Sequence, residues 1–402
     1  MGKVPTTAAK ENLMNTLSES VLKRFITISF KKQGFTINHG RVLFPTNPSK
    51  DQLRQLHSLA VLTKIERARA SLEKKEKALL NYIADGFEVI PEKISPKLIV
   101  VKPGTEEELL FRYATLHWSI PVSSGYGRRL RFLILDSFNG KLIGLFGLSD
   151  PVFALRDRDK WIGWDQETKK NHLYHVMDAY VLGAVLPYSK LLCGKLIALL
   201  TLSNEVRQAF RQKYRGNTSL ISGKQREPHL VLLTTTSALG RSSIYNRLKL
   251  GNQRFFQNVG FTQGWGEFHF SNGVYEHILH YVQSHCKPTA KTASWGKGFR
   301  NKREVVRKCL GELGKSLDFM NHGVKREIFV APLAQNTTDF LCGQENRPRY
   351  FELPAKVLFD SFRNRWLIPR SQRDTSYLSF RKEDWSLWNH SEERMRNSNG
   401  LR

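Results

Sequence analysis

Hydrophobic and polar positions divide the chain into a helical opening, an alternating middle and a basic end. From Asn47 to Gly86, "NPSKDQLRQLHSLAVLTKIERARASLEKKEKALLNYIADG" keeps Leu53, Leu56, Leu59 and Leu62, then Ile65, Leu72 and Leu79, on one apolar face. Ser49 with Gln52 three residues on predicts a reciprocal cap at the start, and Gly86 predicts the stop. The Ile65–Leu79 spacing is heptad-like, but two heptads favour packing on the chain's own core over a partner-helix seam. Upstream, "RFITISF" reads equally as a short strand or a helix.

Farther on, "KLIVVKP" predicts a strand, and "RRLRFLILDSFNGKLIGLFGLSDP" predicts a hairpin. There Leu130, Phe132 and Ile134 alternate with Arg131 and Leu133, Asn139-Gly140 offers a tight turn, and Leu142 and Leu145 return. "HLYHVMDAYVLGAVLP" reads as a helix end feeding a buried strand. "LLCGKLIALLTLSNEVRQAFRQKY" reads as one helix with Leu196, Leu199, Leu200, Val206 and Phe210 inside. "HLVLLTTT" is the next strand, "SSIYNRL" a short helix, "FFQNVGFTQGWGEFHF" a closing strand or hairpin, and "REIFVAPL" a later strand. This order predicts an α/β fold with a mixed sheet. The expected organisation is an N-terminal helical region over 1–105, a central sheet domain over 106–275 and a basic C-terminal region over 276–402.

Charge changes the picture most. The 402 residues carry 63 Lys+Arg against 36 Asp+Glu, a formal net charge of +27. Such an excess repels itself, and a polyanionic partner is its usual reason. Nucleic acid, DNA in particular, is the expected one. The four cysteines, Cys193, Cys286, Cys309 and Cys342, form no CxxC pair, which argues against a zinc ribbon or a disulfide framework and fits a reducing compartment. The N-terminus lacks a signal-peptide apolar core, and runs such as "KLIALLTL" are too short to span a bilayer. A soluble cytoplasmic protein without membrane association is the expectation.

Candidate chemistry concentrates in "SDPVFALRDRDKWIGWDQETKKNHLYHVMD", where Asp150, Asp157, Asp159, Asp165, His172, His175 and Asp178 crowd into thirty residues. Asp157, Asp159, His172, His175 and Asp178 are the candidate catalytic residues. Carboxylates and imidazoles so grouped can hold a divalent metal that polarises a phosphodiester. A surface salt-bridge network is the competing reading, and no complete nuclease pattern is present. Trp161 and Trp164 on the same loop either stack on nucleobases or fill the core. "TTTSALGRSS" has one glycine and fails as a Walker loop. Arg241, Ser242 and Ser243 there read as a helix cap with room for an anion. In "CKPTAKTASWGKGFRNKREVVRKCLGELGK", nine Lys/Arg stand against two acids. Lys297, Arg300, Lys302, Arg303, Arg307 and Lys308 are the candidate phosphate contacts.

The succession "GKLIGLFGLSDP", "YVLGAVLP", "CGKLIALL", "LVLLTTT" and a late "VGF" resembles the second half of a GNAT-type acyltransferase. That resemblance implies a GNAT-like central domain whose glycine-rich loop, opening the helix after the fourth strand, binds the pyrophosphate of coenzyme A. "PYSKLLCGKL" has Gly194 but departs from the superfamily's Arg/Gln-x-x-Gly-x-Gly spacing, which weighs against coenzyme A here. The stretches "GLFGLSDPVFALRDRDKWIGWD", "HLYHVMDAYVLGAVLPYSKLLCGKLIALL", "LISGKQREPHLVLLTTTSALGRSSIYNRL" and "VGFTQGWGEFHFS", from about Trp118 to Glu276, resemble the DruA family of Druantia anti-phage systems. This resemblance implies a bacterial defence role beside a large helicase-like protein and other proteins of the same system, and carries over no catalytic residues. The reading is a DNA-binding defence component, with an acyltransferase-like or a metal-dependent nuclease activity of the central domain as alternatives.

Overall fold

The computed structural model describes residues 18–39, 41–44, 47–218, 223, 225, 227–288 and 299–388. "RFITISF" is helical: it lies within α1 (Glu19–Lys32), whose Leu22, Ile26 and Phe30 are buried along one face. The expected cap starts α2 (Lys50–Leu72). The Ser49 backbone N–H donates to Gln52 Oε1 at 2.8 Å, and the Gln52 N–H donates to Ser49 Oγ at 3.1 Å. The helix ends short of Gly86, because a 3-10 turn at Glu73–Lys75 breaks it before α3 (Glu76–Leu80). Leu53, Leu56, Leu72 and Leu79 are buried while Leu62 is exposed.

Besides a small antiparallel hairpin of β1 (Thr36–Asn38) and β2 (Arg41–Leu43), there is one seven-stranded mixed sheet among the described residues. Its strands are β3 (Pro96–Val100), β4 (Arg129–Asp136), β5 (Leu142–Ser149), β6 (Val176–Ala184), β7 (Leu232–Thr236), β8 (Gln257–Phe261) and β9 (Glu327–Pro332). Their order is β3-β4-β5-β6-β7-β9-β8. All neighbours are antiparallel except β6 and β7. The β4–β5 hairpin is as expected, but its turn is longer than the Asn139-Gly140 pair. Gly140 takes φ +73° and donates to Asp136 O at 2.8 Å, while the Asn139 side chain accepts the Lys141 N–H at 3.0 Å. Strand β9 comes from the region expected to be a basic tail and is inserted between β7 and β8.

Both faces of the sheet are covered, which is why β5 is buried along its whole length. After α4 (Glu106–Thr115), α5 (Arg156–Ile162) and α6 (Gln166–His172) come the two pieces of the expected "LLCGKLIALL…" helix, α7 (Cys193–Leu200) and α8 (Asn204–Tyr214). Ser203 separates them and caps α8, its hydroxyl accepting the Val206 N–H. Leu196, Leu199, Leu200, Val206 and Phe210 join Phe132, Phe146, Met177 and Leu233 in one core cluster. Ile162, Val176, Leu232, Val330 and Leu341 form another.

The chain sorts into two compact units. The described residues of Met1–Glu66, Ser119–Pro121 and Thr262–Lys325 make one, and those of Arg67–Trp118, Val122–Phe261 and Arg326–Arg402 the other. The first holds α1, most of α2, α9 (Val274–His285) and α10 (Phe299–Glu312). Its core draws on both stretches of chain: the Phe30 ring lies 5.0 Å from Phe270 and 5.7 Å from Phe319. The second holds the large sheet, with α11 (Thr337–Leu341), α12 (Ala355–Phe362) and α13 (Ile368–Arg373). No helix among the described residues is long and apolar enough to cross a membrane.

Candidate functional site

The aspartate–histidine loop is a scaffold of ion pairs. Arg158 on α5 is fully buried and donates to Asp159 Oδ1 from Nε at 2.8 Å and from Nη2 at 2.5 Å. Lys169 Nζ reaches Asp159 Oδ2 at 3.0 Å, so two cations neutralise that carboxylate. Asp157 accepts the Phe261 N–H at 3.1 Å, and a Cβ on Gly260 would meet its Oδ2 at 2.1 Å, so α5 is tied to the end of β8. Asp165 caps α6 by accepting the Thr168 N–H at 2.7 Å. His175 is buried, its Nδ1 3.0 Å from His229 O, and the His172 and His175 rings both lie near Phe340. Trp164 donates its indole N–H to Leu341 O at 2.7 Å, and both Trp161 and Trp164 pack against the core cluster that contains Val176. Among the described residues, no group of three His, Cys, Asp or Glu side chains converges in a way that could hold a metal ion.

Asp178 stands apart from the loop that precedes it. It sits on β6 and accepts the Thr234 hydroxyl at 2.7 Å. Burial pushes its carboxyl up to about 6, while the Thr234 bond and the Arg158 guanidinium pull the other way without cancelling it. The native state therefore binds this proton more tightly than the unfolded chain. That contribution to stability is present at acid pH and is lost as the pH rises from about 4, the ordinary carboxyl value, through about 6. Asp178→Asn keeps an acceptor for Thr234 and removes the charge. It is expected to exceed the wild type in stability at pH 7 by about 3 kcal/mol, with the gap closing near pH 4. Urea midpoints at the two pH values measure this, and a gap independent of pH contradicts it.

The "TTTSALGRSS" turn gathers the chain's own Glu327 carboxylate. Ser242 Oγ accepts the N–H groups of Ile244 and Tyr245 at 3.2 and 3.1 Å in the turn that leads into a single 3-10 turn at Tyr245–Arg247. The Ser242 N–H donates to Glu327 Oε2 at 2.7 Å, and Asn246 Nδ2 donates to the same oxygen at 3.0 Å. Arg241 is 84% exposed, with its Nε 4.0 Å from that carboxylate.

Among the described residues, the later part of the basic stretch forms α10. Lys302 folds onto its own unit, donating to Ser271 Oγ at 2.6 Å and lying 4.7 Å from the Tyr275 ring. Lys308 bonds Lys287 O and lies 3.8 Å from Glu304. Arg303 and Arg307 are exposed, one helical turn apart. Lys297 lies outside the described residues. Arg300 is in the helix, and its side chain lies outside the description.

A cleft of about 560 Å³ that sequence reasoning missed lies in the sheet unit. Backbone pairing between β6 and β7 ends at Asp178 and Thr234, and the Thr235 hydroxyl bridges to Ala179 O at 2.9 Å. Beyond that point Gly183 and Ala184 line one wall, and Ser243 and Arg247, from the turn after β7, line another. Leu192 and Lys195 at the start of α7 contribute, as do Trp118 and Trp366. Gly183 makes room for Trp118, since a Cβ there would lie 3.1 Å from the ring. Leu192 takes φ +62°, a costly conformation for a residue with a side chain. The Lys195 ammonium is held below its ordinary range, first by burial and then by Arg247 and Arg365. Lys195 and Arg365 lie 5.5 and 4.7 Å from the Trp366 ring centroid. In sequence the local signals were Gly194 and Ser243, the latter read with Arg241 and Ser242 as room for an anion, while the tryptophans come from distant segments.

A family model described as "Druantia protein DruA" matches residues 47–343. The chain is 39% identical over 369 residues to a protein named "Druantia protein DruA" from Escherichia coli (strain UMEA 4076-1), covering 92% of this chain and 91% of that one. No solved structure matches the chain.

Proposed function

The chain belongs to the Druantia protein DruA family, and from that premise we propose that it serves its anti-phage system by binding DNA and positioning a helicase-like partner. Membership makes it a component of Druantia anti-phage defence, acting among the other proteins of that system. The observation that carries DNA binding is the net charge of +27, with Arg303 and Arg307 presented together on the exposed side of α10. Arginines so placed contact phosphates without reading bases, so they set affinity rather than sequence preference. The sheet unit is read as GNAT-like. The β4–β5 hairpin, the fourth strand β6, the helix α7, the fifth strand β7 lying parallel to β6 and the late β8 support that reading. In this reading the scaffold is kept without the superfamily's glycine spacing.

The test is phage plating on cells that carry a complete Druantia gene set with this chain. Arg303→Gln/Arg307→Gln changes two exposed side chains and is expected to leave protein abundance unchanged while protection falls by about tenfold or more. Full protection by that variant would contradict the reading.

A further inference from the structure

We propose that Trp265 is a stacking platform for an unpaired base, so that the DNA this chain holds carries a single-stranded segment. This rests on the DNA-binding reading and names the form of DNA that reading leaves open.

The stretch "VGFTQGWGEFHF" crosses into the first compact unit at Thr262 and there holds a tryptophan out of the protein. Trp265 is 48% exposed, although a tryptophan gains more than most side chains from burial. The backbone that carries it is tied down on both sides. The His322 and Gly323 N–H groups donate to Gly264 O at 2.8 and 3.1 Å, and the Gly266 N–H donates to Met320 O at 2.9 Å. Between these bonds Trp265 pairs with Asn321 in an antiparallel bridge. Gly264 and Gly323 take φ +73° and +68°, and a Cβ on Gly264 would lie 3.0 Å from Gly323 Cα. The two loops thus cross where only glycine fits, and the indole is presented from a fixed backbone. A side chain presented this way loses little freedom when a ligand covers it.

Charge selects the ligand. Lys325 is exposed two residues beyond Gly323, about 7 Å of chain at most. On the other flank, α10 packs on the 3-10 turn Leu317–Met320, which supplies the Met320 carbonyl. Glu267, two residues after Trp265, is buried. Burial raises its carboxyl above the ordinary range, while Lys302 and then Arg303 pull it down. The basic helix therefore lies beside the root of the loop. From Thr262 to Lys325 ten Lys/Arg stand against five Asp/Glu, so the surroundings of the ring are positive. An aromatic face among cations matches a ligand that joins a flat face to negative charge. A nucleobase with its phosphate is that ligand, and its face is open where the strand is unpaired. Tryptophan also anchors protein interfaces, but a neutral apolar partner leaves the cations unmatched.

The test uses the full chain at low salt with three labelled DNAs of equal length: a single strand, a blunt duplex and a strand of abasic sugar-phosphate. The wild type is expected to bind the single strand about tenfold more tightly than the abasic strand. Trp265→Ala is expected to lose about tenfold on the single strand and less than about twofold on the other two, and Trp265→Phe to keep most of the affinity. Retained duplex binding shows that the alanine variant is folded. Its salt slope should equal that of the wild type, because the ring touches no phosphate, whereas Arg303→Gln/Arg307→Gln should lower the slope. Equal binding of the single and abasic strands by the wild type overturns the proposal. So does single-strand binding by Trp265→Ala that matches the wild type, or a loss shared equally by all three DNAs, which assigns Trp265 to the fold. A wild type that binds duplex with a steep salt slope but shows no effect at Trp265 loses this inference alone. One that binds no DNA even at low salt loses the DNA reading, and this inference with it.

Discussion

Arg158→Ala is expected to destabilise the sheet unit by about 3–5 kcal/mol. The guanidinium is fully buried and makes four hydrogen bonds, two to Asp159 and one each to Val152 O at 2.8 Å and Phe153 O at 3.0 Å. It also lies 5.7 Å from the Trp164 ring centroid. Alanine leaves two carbonyls without this donor, leaves the partly buried Asp159 to Lys169 alone and empties the space of a fully buried side chain, and these losses add. Arg158→Lys is expected to recover little, because an ammonium on a flexible stem cannot serve the carboxylate and both carbonyls in one plane. Urea unfolding followed by tryptophan fluorescence measures the loss. A change below about 1 kcal/mol would place Arg158 among ordinary surface ion pairs and contradict the account.

Glu76→Ala is expected to cost about 3 kcal/mol and to release the last described turn of the chain. Glu76 on α3 is buried and accepts three bonds: from the Tyr113 hydroxyl at 2.9 Å, from Ser386 Oγ at 2.8 Å and from the Leu387 N–H at 2.6 Å. Burial first, and the Glu76 carboxylate second, push the Tyr113 hydroxyl well above its ordinary range, so it stays a donor. The carboxylate thus joins α3, α4 and the segment after the 3-10 turn Lys382–Trp385, where Trp385 stacks on His117 at 3.7 Å. Limited proteolysis is the direct readout. Cleavage near 381–388 should become fast in the variant while cleavage within β4–β7 does not. Equal resistance in both proteins would show that the segment is held by its tryptophans alone.

Much of the sheet was legible because its signals are local. Alternation in "RLRFLILD", the apolar runs of β6 and β7 and the Ser49–Gln52 cap each act within about a dozen residues, and the structure places them as expected. The misses are non-local. The apolar stripe after Ser49 continues past Leu72, so nothing in its period announces the 3-10 turn there. Strand β9 read correctly as a strand, but its place between β7 and β8 depends on partners about seventy to a hundred residues upstream, which periodicity does not encode. The candidate chemistry divides the same way. Asp157 and Asp159 read in sequence more readily as part of a salt-bridge network than as a metal loop, but the burial of Arg158 and the bond from Phe261 to Asp157 were not legible there. The anion for the "TTTSALGRSS" turn is Glu327, more than eighty residues farther along. The cleft is assembled from residues as distant as Trp118 and Trp366, so no window of sequence contains it.

The central claim, that this family member works on DNA through its excess positive charge, is tested most directly by a salt titration of the purified chain. Labelled single- and double-stranded DNA would be used with Mg²⁺ present, and the DNA length checked afterwards. The account predicts binding at low salt whose logarithmic affinity falls steeply and linearly with the logarithm of salt concentration, with the DNA left intact. Affinity that does not change with salt, or no binding even at low salt, would contradict it.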